Sequence, residues 1–254
     1  SQGAVPRYAG FFADPLEFSA SLILFFSITL WHFIHSKISR NRLIYFGLIL
    51  LVIFSFSFAS SRASMIASVL VLIFALFISK NYKILFIGFS FLIFSFAYLF
   101  FYASEETRYL FQDTLTFQNS SSIGHLFEWI QGGLSIYENP FGVGLAMSGN
   151  ASGVDQSIKI GGENQFLIYG VQMGVIALIL YLAILIKSIW NSIKLYTKSS
   201  NINHKSVGFI SGLTKLGLLV PLFTANAELY LFVAFFSWYL VGQVETLYNS
   251  DELN

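Results

Sequence analysis

Apolar residues in this chain gather in long, nearly unbroken runs, at about 16–34, 43–59, 63–79, 84–102, 164–188, 207–224 and 229–248. Most have the roughly 17–25 residues that a helix needs to cross about 30 Å of hydrocarbon. Lipid offers the backbone no hydrogen-bond partner, so each run is expected to close its own bonds as an α-helix. The predicted fold is an all-α integral membrane protein, a polytopic helical bundle with about seven transmembrane helices. Its divisions are an outer segment at 1–15, four transmembrane helices in 16–102, an outer loop at 103–163, three transmembrane helices in 164–248 and a cytoplasmic tail at 249–254. The runs at 43–59 and 63–79 are short, which sets the turn of Ser60, Ser61 and Arg62 between them below the headgroups. The chain opens at Ser1 in a polar segment with no initiator Met and no signal-peptide pattern. It is expected to be the C-terminal part of a larger protein, with further spans upstream.

One connection is long enough to hold structure of its own. Within 103–163, Leu126, Ile130, Leu134 and Tyr137 recur at three- and four-residue spacing, the period of an amphipathic helix over about 123–137. His125 and Trp129, four residues apart, share a face of that helix. Asn139-Pro140-Phe141-Gly142-Val143-Gly144 is a cluster of helix breakers and predicts a turn. A Gly- and Ser-rich stretch at 148–162 is expected to be flexible. Helix and loop together would suit a lid or an acceptor-binding element.

Charge orients the spans. Only 11% of residues are charged against 56% hydrophobic, about half the charged share of a soluble domain. One set of connections holds Lys37, Arg40, Arg42, Lys80, Lys83, Lys187, Lys194, Lys198 and Lys205. The other holds only Arg7, Arg62, Arg108 and Lys159 among many carboxylates, including Asp14, Glu17, Glu128, Glu163 and Glu228. Basic residues crowd the cytoplasmic side, so the second set faces outward. The net charge of +1 argues against a nucleic-acid partner, and the absence of cysteine excludes disulfides, thiol nucleophiles and Cys-ligated metal.

Several segments resemble a known family. Arg7-Tyr8-Ala9-Gly10-Phe11-Phe12 with Asp14-Pro15 ahead of a span resembles an arginine motif of the O-antigen ligase and polymerase superfamily. Ser61-Arg62 with Ser64 resembles its second arginine site, and His125-x-x-x-Trp129 with Asn139 to Gly144 resembles its large outer loop. Gly162-Glu163-Asn164-Gln165-Phe166-Leu167, with Gly170 and Met173-Gly174-Val175, resembles the loop exit and the helix after it. The resemblance covers Arg7 to about Leu185, in the family's order. It implies a bacterial inner-membrane glycosyltransferase acting at the periplasmic face on undecaprenyl-pyrophosphate-linked glycan donors and acceptors. Flippase and chain-length regulator proteins would be its partners, beside the lipid bilayer. Ligases of the family usually carry His-Asn where this chain has Glu163-Asn164, and often Arg where it has His125. The pattern is therefore more similar to Wzy-type polymerases, with transfer to lipid A core as the alternative.

The chemistry stands beside the resemblance. Moving a saccharide from a lipid pyrophosphate to a hydroxyl gathers negative charge on phosphate oxygens in the transition state. Guanidinium groups stay protonated and grip oxyanions through paired N–H donors. Arg7, Arg62 and Arg108 are the candidate pyrophosphate ligands, and Glu163 and His125 the candidates for orienting or deprotonating the acceptor. No metal or other cofactor is called for. Each residue also has a plainer role: headgroup anchors for the arginines, with Arg108 close enough to Glu105 and Glu106 to pair locally. His125 could be an interfacial companion of Trp129, Glu163 a carboxylate at a helix N-terminus, and Glu128 and Glu138 simply solvated. Lys215 falls mid-span, where an ammonium costs at least about 2.5–3.5 kcal/mol unless it finds a partner or snorkels toward the cytoplasm. A non-enzymatic alternative, a lipid-linked glycan transporter, would need a charged path through the membrane.

Overall fold

The computed structural model describes residues 7–59, 61–80, 120–149, 160 and 162–250. Its α-helices are α1 (Pro15–His35), α2 (Ser39–Ala59), α3 (Arg62–Ser79), α4 (Ser120–Glu138), α5 (Gln165–Lys198), α6 (Ile202–Thr224) and α7 (Leu231–Ser250), with one 3-10 turn at Ala227–Leu229. No strand occurs among the described residues. All of these helices except α4 are long and apolar enough to cross a membrane. The chain is thus an all-α, multi-pass membrane protein whose natural partner is a lipid bilayer. The apolar run at 84–102 and Arg108 lie outside the described residues.

Local chemistry sets the helix ends. Asp14 caps α1 by accepting from the Leu16 N–H at 2.7 Å, and Pro15 follows at the first helical position, where its missing N–H costs nothing. Asn201 caps α6 in the same way through the Asn203 N–H, and Asn164 accepts from the N–H groups of Phe166 and Leu167 to start α5. At 34 residues α5 runs well past the expected end of its span and through Lys194 to Lys198.

By contact the chain forms two compact units, one of Ser1–Ala75 with Ile179–Asn254 and one of Leu76–Leu178. In the first, α1 and α6 are the buried helices, while α2 is mostly exposed and leaves Leu43, Leu51 and Phe54 for lipid. Ile23, Phe26 and Leu30 of α1 and Phe209, Leu213 and Leu218 of α6 form its core. Association in lipid rests on close packing more than on escape from water, which favours small residues at helix contacts. Gly217 lies so near Val71 of α3 and Ile23 of α1 that a β-carbon there would collide with both. Gly208 lets α6 touch the α5 backbone at Ser192 and Tyr196, beside a buried bond from Ser192 Oγ to Ser211 Oγ at 3.2 Å.

In the second unit, α4 lies against the start of α5. Gly132 faces Leu167, and Ile136 fills the space above Gly170. The expected turn follows at Asn139–Gly144, and it docks on α5 at a break in that helix.

Candidate functional site

The segment before α1 is folded onto the first unit. Gly10 takes φ 61°, a left-handed conformation natural to glycine, and the Phe12 N–H closes a turn on the Ala9 carbonyl at 3.0 Å. Phe12 then stacks on Phe18. The Tyr8 N–H donates to the Phe58 carbonyl near the end of α2 at 3.0 Å, with the Tyr8 ring edge-on to Phe58. This bond sets the backbone beside Arg7 four residues in sequence from Arg62, which opens α3. Arg7 and Arg62 are both exposed at this corner. The corner is braced from below: Ser61 Oγ bonds Ser64 Oγ, which donates to Ser19 Oγ of α1 at 3.0 Å, and buried Glu17 accepts from the Ala13 N–H. Two exposed guanidinium groups in neighbouring segments suit a polyanionic headgroup.

His125 and Glu163 belong to the second unit. His125 Nδ1 lies 3.5 Å from Glu128 Oε2, one helical turn along α4, and its ring is roughly parallel to Trp129 at 6.4 Å between centroids. The Glu128 carboxylate rests against the α-carbon of Gly162, where any side chain would collide with it. The loop exit is thereby brought to the His125 face of α4, and half-buried Glu163 is the next residue. Glu128, expected to be solvated, keeps 39% of its side chain exposed while also lying beside His125 and Gly162. Asn164, not Glu163, supplies the helix cap.

The break in α5 is made by Gly174, at φ 83° and ψ 178°. There the Val175 N–H, which an unbroken helix would direct to Val171, donates instead to the Pro140 carbonyl at 2.9 Å. The released carbonyls of Val171 and Gln172 accept from Val143 and Gly144 at 2.9 and 3.1 Å. Turn and helix exchange bonds, and no backbone group in this set is orphaned. A β-carbon on Gly142 would strike the Gln172 carbonyl, and one on Gly174 the Pro140 carbonyl. Further on, Gln172 Nε2 donates to the Ser148 carbonyl at 2.7 Å and Gly149 lies on Ile168. The stretch expected to be flexible from Ser148 is therefore pinned to α5 at its start; residues 150–159 lie outside the described residues.

Lys215 does not snorkel toward the cytoplasm. Its Nζ donates to Glu228 Oε1 at 2.8 Å and Ser237 Oγ at 3.1 Å, and lies 3.5 Å from the centre of the Trp238 ring. Glu228 Oε2 accepts from the Tyr181 hydroxyl at 2.8 Å. The Lys215 and Glu228 side chains are only 1% and 3% exposed, so Glu228 faces the interior and not the outer mouth. Sequence offered one hint of this pair: an isolated cation in one span and a carboxylate in the turn after it.

No family model and no curated protein matches the chain.

Proposed function

We propose that the protein is a membrane glycosyltransferase that joins undecaprenyl-pyrophosphate-linked repeat units into O-antigen or a related surface polysaccharide, at the periplasmic face of a bacterial inner membrane. The observation that carries this reading is the corner where Tyr8 bonds Phe58 and two exposed arginines stand in adjoining segments. In the reaction, an acceptor hydroxyl oxygen attacks the anomeric carbon and the carbon–oxygen bond to pyrophosphate breaks. The configuration inverts, and the electron pair leaves with the lipid pyrophosphate. Arg7 and Arg62 are assigned to the pyrophosphate oxygens, where preorganised positive charge meets developing negative charge. His125 and Glu163 are assigned to the acceptor and its departing proton. Arg108 stays a third candidate for the anion.

Transfer to lipid A core is the alternative within the same chemistry. The transport alternative would draw on charge within the membrane, and the Lys215–Glu228 pair, the charge found there among the described residues, is enclosed. The test is product analysis of the purified protein supplied with lipid-pyrophosphate-linked repeat units, with and without lipid A core. A ladder formed without core supports polymerisation; product only with core makes the enzyme a ligase. No transfer by intact protein under either condition overturns the enzyme reading.

A further inference from the structure

The outer loop is commonly the part of such a chain that stands in water, yet α4 exposes its apolar face. Ile123, Leu126, Phe127, Ile130, Leu134 and Tyr137 are all exposed, and Phe127 is 64% so. At 100° per residue they form one stripe about 100° wide. Gly132, Ser135 and Ile136, with His125 and Glu128, occupy the opposite face, where α4 meets Leu167 and Gly170 of α5 and the loop exit at Gly162. The packed face is thus the one with small and polar residues, and the greasy face is left outward.

What covers it is indicated by the turn that follows. Asn139–Gly144 is bonded to α5 at residues 171–175, about six to ten residues and roughly 9–15 Å beyond the start of that membrane-spanning helix. Irregular backbone is tolerated at such depth where protein satisfies its polar groups, and the exchange of bonds at Gly174 satisfies the Pro140 carbonyl and the Val143 and Gly144 N–H groups. Phe141 at the tip is 84% exposed and touches Gly174, whose neighbours Met173 and Val175 are themselves exposed apolar residues of α5, with Ile176 beyond. The stripe therefore runs on, through Phe141, into the lipid-facing surface of a span.

We infer that α4 and the turn after it are seated in the bilayer, with the stripe and Phe141 immersed in acyl chains of the leaflet at the loop end of α5. This element is an interfacial anchor that holds His125 and Glu128 on its α5-facing side, not a lid moving in water. The inference does not depend on the proposed transfer reaction. If both hold, the acceptor-side residues meet their substrate where a lipid-linked headgroup already lies.

The natural absence of cysteine makes the test direct. Single cysteines at Phe127, Leu134 and Phe141, and at Gln131 on the exposed polar edge, are spin-labelled in the full chain in phospholipid nanodiscs. Labels at 127, 134 and 141 should collide more with dissolved oxygen than with an aqueous nickel chelate, and the label at 131 should show the reverse. Nickel-dominated collisions along the stripe would place it in water and overturn the inference. Weak collisions with both reagents would mean that protein, such as a second copy of the chain, covers the stripe, and would overturn it equally. A second measurement needs no substitution: a phospholipid with a shallow diazirine should cross-link to the peptide spanning 123–145. Labelling of the spanning helices without that peptide would count against the proposal.

Discussion

Replacing Glu228 by Gln changes the charge of the buried pair and almost nothing of its shape. Lys215 would keep Ser237 Oγ at 3.1 Å and the Trp238 ring at 3.5 Å, but lose the carboxylate at 2.8 Å. A desolvated cation–π contact is worth about 2 kcal/mol, so the ring offsets only part of the deficit. Removing one partner of a buried ion pair typically costs about 3–5 kcal/mol, because the remaining charge is stranded. Since Gln still offers a carbonyl oxygen to Lys215, we expect the lower end, about 3 kcal/mol. At about 2–4 °C per kcal/mol for a chain of this size, Tm should fall by about 6–12 °C. The assay is thermal unfolding followed by tryptophan fluorescence, to which Trp238 beside Lys215 contributes. The Lys215→Met/Glu228→Gln double variant should recover most of the loss, because two neutral groups replace two charges and neither is stranded. A Tm within about 2 °C of the parent for Glu228→Gln, or a double variant no more stable than the single one, would refute the reasoning.

Three further outcomes are expected. Gly174→Ala places a β-carbon against the Pro140 carbonyl at a positive φ, and should destabilise by about 1–3 kcal/mol while raising proteolysis in 139–149, read by limited digestion and mass spectrometry. Asp14→Ala removes the cap of α1 and should lower stability by about 0.5–2 kcal/mol in the same unfolding assay, whereas Asp14→Asn should cost much less. If the transfer reading is correct, Arg62→Ala should lower the rate by about 10²–10³-fold with normal folding; Arg62→Lys should restore only part, since it loses the paired N–H geometry. Full activity in a folded Arg62→Ala protein would remove Arg62 from the anion site.

The candidate site was legible to different depths. The arginine corner could be anticipated, because Arg7 and Arg62 each flank a span on the sparsely basic side, and side of membrane follows from charge distribution alone. Glu128 keeps the exposure expected of it, with 39% of its side chain open, but its place against Gly162, 34 positions later, depends on a helix rotation that no local spacing specifies. Gly142 was visible as a turn residue, but Gly174 was read as part of a helix, and neither the break there nor the approach of the two glycines could be seen.

Span length and helix caps are local matters, decided by runs of apolar residues and by Asp14, Asn164 and Asn201 at their ends, so sequence by itself determined the all-α, multi-pass character of this protein. Tertiary structure alone decided which face each helix turns inward. That choice is made by contacts between residues far apart in the chain, where small side chains allow close approach and buried polar groups must find one another. Lys215 could be recognised as costly from its position, but only the packing of α5, α6 and α7 shows Tyr181, Glu228, Ser237 and Trp238 converging around it. The outward apolar stripe of α4 has the same origin: its period was written in the sequence, and its direction was set by Gly132 and Ile136 meeting α5.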